Sequence, residues 1–173
     1  MASVIRGSDN FDSGVVGITL GTEVATTSGT SIDFTGLPAG TKRITVMFQG
    51  VSTNGSSEKL VQLGDSGGVE VLGYLGSGVT LTSGGNGNNN YTTGVGIRSS
   101  SAADIIHGSL VISLDNESNF TWVASGALAK SNSSDILVTA GSKSLSAELD
   151  RVRITTVNGT DTFDAGSINI SYE

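Results

Sequence analysis

A chain of 173 residues with no cysteine is long enough for one domain whose core needs no disulfide or thiolate-metal staple. Its net charge of −7, from 9 Lys and Arg against 16 Asp and Glu, argues against nucleic acid and anionic membranes as partners, because phosphate contacts need clustered cations. Charged residues make up 14% of the chain and glycines number 25, against about 25% charged and about 7% glycine in ordinary domains, so Ser, Thr and Asn carry the solvation. No run approaches a membrane span, and the first seven residues lack the apolar stretch of a signal peptide. Synthesis and folding are therefore expected in a cytoplasm.

In chain order, stretches 3–6, 15–20 and 23–27 read as short strands around the turn Asp9-Asn10-Phe11-Asp12-Ser13-Gly14. Residues 1–29 are expected to form a peripheral strand or arm ahead of a β-domain over residues 30–173. That domain opens on period-two alternation, with Ile32 and Phe34 set against Ser31, Asp33 and Thr35. Beyond Leu37-Pro38-Ala39-Gly40, Ile44, Val46 and Phe48 alternate with Arg43, Thr45 and Gln49. Alternation on both sides of a Pro/Gly turn predicts a half-buried antiparallel hairpin. Pro38, the only proline, sits where its missing N–H breaks no ladder bond.

Turn clusters then punctuate predicted strands at 59–63, 69–75 and 79–82. The run Ser83-Gly84-Gly85-Asn86-Gly87-Asn88-Asn89-Asn90-Tyr91 has little to bury and predicts a solvated loop. Strands return at 95–98, 105–114 and 120–127, with a turn at 115–119, and helical turns are compatible only with 103–106 and 126–131. The last predicted strands are 136–139, 143–147, 150–157 and 167–172, and Asn158-Gly159 supplies a hairpin turn because both residues tolerate positive φ. About a dozen short strands with almost no helix predict a single all-β domain, an antiparallel β-sandwich of jelly-roll type. Asp161-Thr162-Phe163-Asp164-Ala165-Gly166 echoes residues 9–14, as one turn used twice and not a repeat array.

Few residues invite chemistry. Gly64-Asp65-Ser66-Gly67-Gly68 matches the string around the nucleophile of chymotrypsin-like proteases, but a triad needs a base bonded to the serine and a carboxylate behind it. The only histidine, His107, follows Ser66, the reverse of that family's order, and Asp-Ser-Gly-Gly is good turn chemistry by itself. The expectation is no catalytic residue. His107 reads as a structural histidine at a strand end or subunit contact, since one histidine without cysteines makes a poor metal site. The acidic turns Asp9/Asp12, Asp65, Asp115/Glu117 and Asp161/Asp164 lack the spacing of a dedicated calcium loop, so no metal or other cofactor is expected. Trp122 shares a face with Phe120 and Ala124 and is assigned to the core. For a binding surface the sequence favours Asn88, Asn89, Asn90 and Tyr91, as an exposed loop bearing an aromatic ring.

The segments Thr30-Ser31-Ile32-Asp33-Phe34-Thr35-Gly36-Leu37-Pro38-Ala39-Gly40-Thr41, Leu60-Val61-Gln62-Leu63-Gly64-Asp65, Gly73-Tyr74-Leu75-Gly76 and Trp122-Val123-Ala124-Ser125-Gly126 resemble a module of tailed-bacteriophage tail-fibre and virion structural proteins. The closing Asp150-Arg151-Val152-Arg153-Ile154-Thr155-Thr156-Val157-Asn158-Gly159-Thr160-Asp161-Thr162-Phe163-Asp164-Ala165-Gly166-Ser167-Ile168-Asn169-Ile170 is the most specific part, and the resemblance spans residues 30–173. It implies a non-enzymatic virion protein, assembled in the bacterial cytoplasm, trimeric, and associated with other virion proteins and a host-surface glycan, without nucleic-acid binding or membrane insertion. Two roles follow. One is a tail-fibre or spike component for host attachment, with loop 84–91 facing outward; the other is a capsid decoration protein that stabilises the head. In many such proteins the module caps a longer fibre polypeptide, whereas only 29 residues precede it here, which leaves head or tail open.

Overall fold

The computed structural model describes residues 17–173. The segment 3–6, the turn at 9–14 and the start of 15–20 lie outside the described residues. Fourteen strands form two sheets, and no α-helix occurs among the described residues. The larger sheet runs β1 (Thr19–Leu20), β14 (Phe163–Tyr172), β4 (Arg43–Thr53), β10 (Ile106–Asn116), β11 (Thr121–Lys130), β12 (Ile136–Ser144), β7 (Leu75–Leu81), β8 (Gly87–Tyr91), with β2 (Val24–Ala25) also on β14. The smaller sheet runs β3 (Ile32–Thr35), β13 (Leu149–Thr156), β5 (Lys59–Asp65), β6 (Gly68–Val69), with β9 (Val95–Ile97) also on β5. All pairings are antiparallel, and the expected all-β sandwich is what the chain forms.

The alternation marks the buried faces correctly. Ile44, Val46 and Phe48 of β4, Leu110 and Ile112 of β10, and Trp122 and Leu128 of β11 point inward. They meet Ile32, Phe34, Val61, Leu63, Val152 and Ile154 of the smaller sheet in one continuous core. Each such side chain stabilises the fold by about 1.5–3 kcal/mol on burial.

The pairing of strands departs from the sequence reading at both of its most confident-looking turns. Residues 31–54 do not form a hairpin: β3 pairs with β13 in one sheet, and β4 pairs with β10 and β14 in the other. The Leu37-Pro38-Ala39-Gly40 segment is a bridge between layers. Leu37 is buried and its N–H bonds Asp150 O at 2.9 Å, and Thr41 Oγ1 donates to Pro38 O at 2.7 Å. Asn158-Gly159 likewise carries the chain from β13 to β14, across the sandwich. Alternation says which face of a strand is oily, and two strands facing each other across a core satisfy that as well as two neighbours in a sheet.

Smaller departures have local causes. The expected strand 69–75 is split: Val69 ends β6, Glu70 N–H still bonds Leu63 O at 3.0 Å, and the chain then turns so that Tyr74 N–H meets Thr92 O and Leu75 opens β7. Predicted strands 136–139 and 143–147 are the single strand β12. The helical-turn candidate 126–131 is mostly β11, and the one 3-10 turn is Glu117–Asn119, capped by Asn116, whose side chain accepts from Ser118 N–H at 2.9 Å. Residues 17–29 lie along β14 as edge strands, with Gly21 N–H on Ile170 O and Thr26 N–H on Gly166 O.

Candidate functional site

The expected binding loop is not a loop. Thr82 closes a tight turn, its Oγ1 donating to Gly85 O at 2.7 Å, and Gly87–Tyr91 is then β8, the edge strand zipped onto β7. Asn88, Asn89 and Asn90 are exposed, but Tyr91 is only 3% exposed. Its hydroxyl donates to Glu58 Oε2 at 2.6 Å, beside Asn89 Nδ2 at 2.9 Å and the Arg98 guanidinium. Burial, then the adjacent Glu58 carboxylate, pushes the phenol far above its ordinary range. The ring lies flat against Gly96, where any Cβ would overlap it. The Asn run can form a strand because a neighbouring strand completes its ladder and one buried ring fastens its end. Tyr91 thus fastens an edge, and offers no ring to a sugar.

The other candidates are structural in their contacts. Asp65 and Ser66 sit at the β5–β6 turn. Asp65 Oδ2 accepts from Ser146 Oγ at 2.6 Å and Oδ1 from Gly67 N–H at 2.7 Å. Those bonds, the Ser146 one foremost, hold its carboxyl below the ordinary range. His107 lies in the larger sheet, where Nδ1 accepts the Gly50 N–H at 3.2 Å. Gly50 is a bulge residue at φ +67°, a conformation that favours glycine, and Gly166, at φ +88°, packs so close to the Gly50 carbonyl that it admits no side chain. The bulge takes the Gly50 N–H out of the ladder and the imidazole satisfies it. No hydrogen bond joins Ser66 to His107 among the described residues.

The acidic turns are likewise engaged. Asp161 accepts from Asn158 Nδ2 at 2.6 Å and from Ser57 N–H at 2.8 Å, and Asp164 from Ser52 Oγ. Glu117 pairs with Lys42 at 2.8 Å. Among the described residues, no three His, Cys, Asp or Glu side chains come together as a metal site would require. Trp122, 2% exposed, is a core residue as expected.

Composition and periodicity gave no hint of the buried charges. Lys130 pairs with Asp104 at 3.1 Å and Asp135 at 3.3 Å, and Lys143 pairs with Glu70 while standing 5.7 Å over the Tyr74 ring. Lys59 is 1% exposed and, among the described residues, its Nζ has no hydrogen-bond partner, nor does the buried Ser99 hydroxyl. Burial lowers the Lys59 pKa, against the pull of Asp104, Asp161 and Asp164 and with the push of Lys130.

What distinguishes the surface is the outer face of the larger sheet. The register places Ser109, Ala127, Val138, Val79 and Asn88 in one row across β10, β11, β12, β7 and β8. The adjacent row is Val111, Ser125, Ala140, Ser77 and Asn90. Within these strands neither row contains an Asp, Glu, Lys or Arg, nor do the rows through Val123 and through Ile136; the charge-free patch ends at Arg43 of β4, which pairs with Ser113, and at the exposed Asp115 of β10. Val123, Ile136, Val138 and Leu81 are 39–44% exposed there. A shallow hollow of about 200 Å³ lies over Ser77, Val79, Asn88, Val138 and Ala140. The smaller sheet's outer face is the opposite in kind: Arg153 binds Asp33 through two bonds, 2.7 and 2.9 Å, and Arg151 binds Asp150. A groove of about 400 Å³ beside it is lined by Leu60, Gln62, Leu72, Arg153 and Val157.

Fold and surface together define a two-sheet antiparallel β-sandwich with salt-bridged charges on one outer face and a charge-free patch on the other. No protein-family model, no curated protein and no solved structure matches the chain.

Proposed function

We propose that the protein is a non-enzymatic structural component of a tailed-bacteriophage virion, a tail-fibre or spike module that displays its β-sandwich for host-surface attachment. The sequence resemblance over residues 30–173 suggests the setting. The observation that carries the reading is the charge-free face that β10, β11, β12 and β7 present on the larger sheet, on a chain with 25 formally charged side chains. A sheet face that lives in water is normally polar and charged. A broad uncharged one is suited to packing against other protein, as the subunits of a virion do. Its partners are then copies of itself and other virion proteins.

The second reading, a capsid decoration protein, is favoured by the conversion of the expected receptor loop into β8. Gold-labelled antibody against an epitope appended after Glu173, imaged on purified virions, separates the two. Label at the tail tip is the expected result, and label over the head selects decoration. Purified particles that lack the protein altogether overturn both.

A further inference from the structure

The charge-free face has a composition suited to meeting its own copy. When two identical surfaces meet across a twofold axis, each residue near the axis faces itself or a close neighbour. A lysine there meets a lysine and an aspartate an aspartate, which is repulsive. Val, Ala and Ile carry no such penalty, and Ser and Asn hold donors and acceptors together, so either bonds its own kind. The four rows over β7, β12, β11 and β10 contain these residue types with Leu75, Leu81 and His107 at their ends, and no Asp, Glu, Lys or Arg; Arg43 of β4 stands at one corner. The chain's salt-bridged pairs Asp33–Arg153 and Asp150–Arg151 sit on the opposite sheet.

Size agrees. Four strands about 4.8 Å apart, over the roughly seven residues that the rows span, cover roughly 20 by 23 Å, or about 450 Å² in projection. Side-chain relief, β8, and Thr45 and Met47 of β4, which continue the two central rows, bring this toward the about 800 Å² per partner that a standard stable interface buries. The molecule's net charge of −7 does not forbid the contact. With no charge on the face itself, the repelling groups lie at its rim and beyond, where a Debye length of about 8 Å screens them.

We propose that two copies stack through this face, β7–β12–β11–β10 of one against the same strands of the other across a twofold axis, giving a four-layered dimer. This departs from the trimer that the resemblance implies, because a threefold ring joins two different patches and needs no self-complementary one. The inference concerns the isolated chain and does not depend on the virion reading.

The test is the mass of the full chain by sedimentation equilibrium and light scattering. The expected value is twice 17.5 kDa. Val138→Lys, at the centre of the face, is expected to raise the dissociation constant at least about tenfold while leaving the far-UV spectrum unchanged. Thr35→Lys, exposed on the smaller sheet, is expected to leave the dimer intact. If Val138→Lys does not fold, Ser77→Lys on the exposed part of β7 replaces it. A wild-type monomer from micromolar to millimolar concentration overturns the proposal, whether residues 1–16 or another protein covers the face. So does a trimer, or a dimer that Val138→Lys and Ser77→Lys leave untouched.

Discussion

Lys59 is an ammonium-bearing side chain with its nitrogen in the interior and no partner among the described residues. Asp104, Asp161 and Asp164 act on it only at a distance, and Lys130 opposes them. Met has a similar length and nothing to desolvate, so Lys59→Met should stabilise the protein by on the order of 1–3 kcal/mol, read as a shift of the urea midpoint. The pH dependence follows from the lowered pKa. Between that value and the ordinary 10.5, the unfolded chain binds a proton that the folded chain has released, so wild-type stability should rise with pH across this window. The substitution should flatten that rise; a steeper or unchanged slope would mean that Nζ is solvated or paired. Gly96 makes the complementary point. A methyl there overlaps the Tyr91 ring, so Gly96→Ala should cost about 1–3 kcal/mol by overpacking, and a neutral result in thermal unfolding would displace the ring from its assigned seat.

At the scale of elements, β8 shows how a polar run becomes a strand. Gly87, Asn88, Asn89 and Asn90 have little β-propensity. The strand is held by its ladder with β7 and by the Tyr91–Glu58 bond with Asn89 and Arg98 around it. Tyr91→Phe removes that hydrogen bond at a cost of about 1.5–3 kcal/mol, because the acceptor is charged. Amide exchange over residues 87–91 should speed up more than exchange in β10 or β11. Uniform acceleration across the sandwich would show that the bond supports global stability alone. The same strand explains what the sequence concealed. Ile44, Val46 and Phe48 announce a buried face through their own spacing, whereas Asn88 to Asn90 need a partner strand that only β7 supplies. Tyr91 could have been suspected of burial from the small residues Gly94 and Gly96 that follow it, since a ring needs room.

At the scale of the whole molecule, the closing strands hold the opening ones. β13 lies between β3 and β5 in one sheet, and β14 between β1–β2 and β4 in the other. Arg153 reaches back to Asp33 and Thr26 to Ala165. A chain ending after residue 148 loses a central strand from the smaller sheet and the partner of three strands in the larger. It should show no cooperative thermal transition by circular dichroism. A sharp transition would mean that the long-range pairings are dispensable. The charge-free face belongs to this scale as well. It is invisible along the chain, where its residues are scattered among buried ones, and appears only when the register lines up β10, β11, β12 and β7.

The chain's own order of residues determined that it is β throughout, which side of each long strand is buried, that Trp122 joins the core and that His107 serves structure. Those properties depend on period two and on local chemistry, which neighbours in sequence report. Tertiary structure decided which strands pair, turning both apparent hairpins into bridges between sheets. It also decided that Tyr91 is buried, that Lys59 Nζ has no partner among the described residues, and that four neighbouring strands line up a patch without charge on one outer face. The physical reason is shared: each depends on segments tens to more than a hundred residues apart meeting in space, and alternation along a strand says how a segment is oriented without saying what it will face.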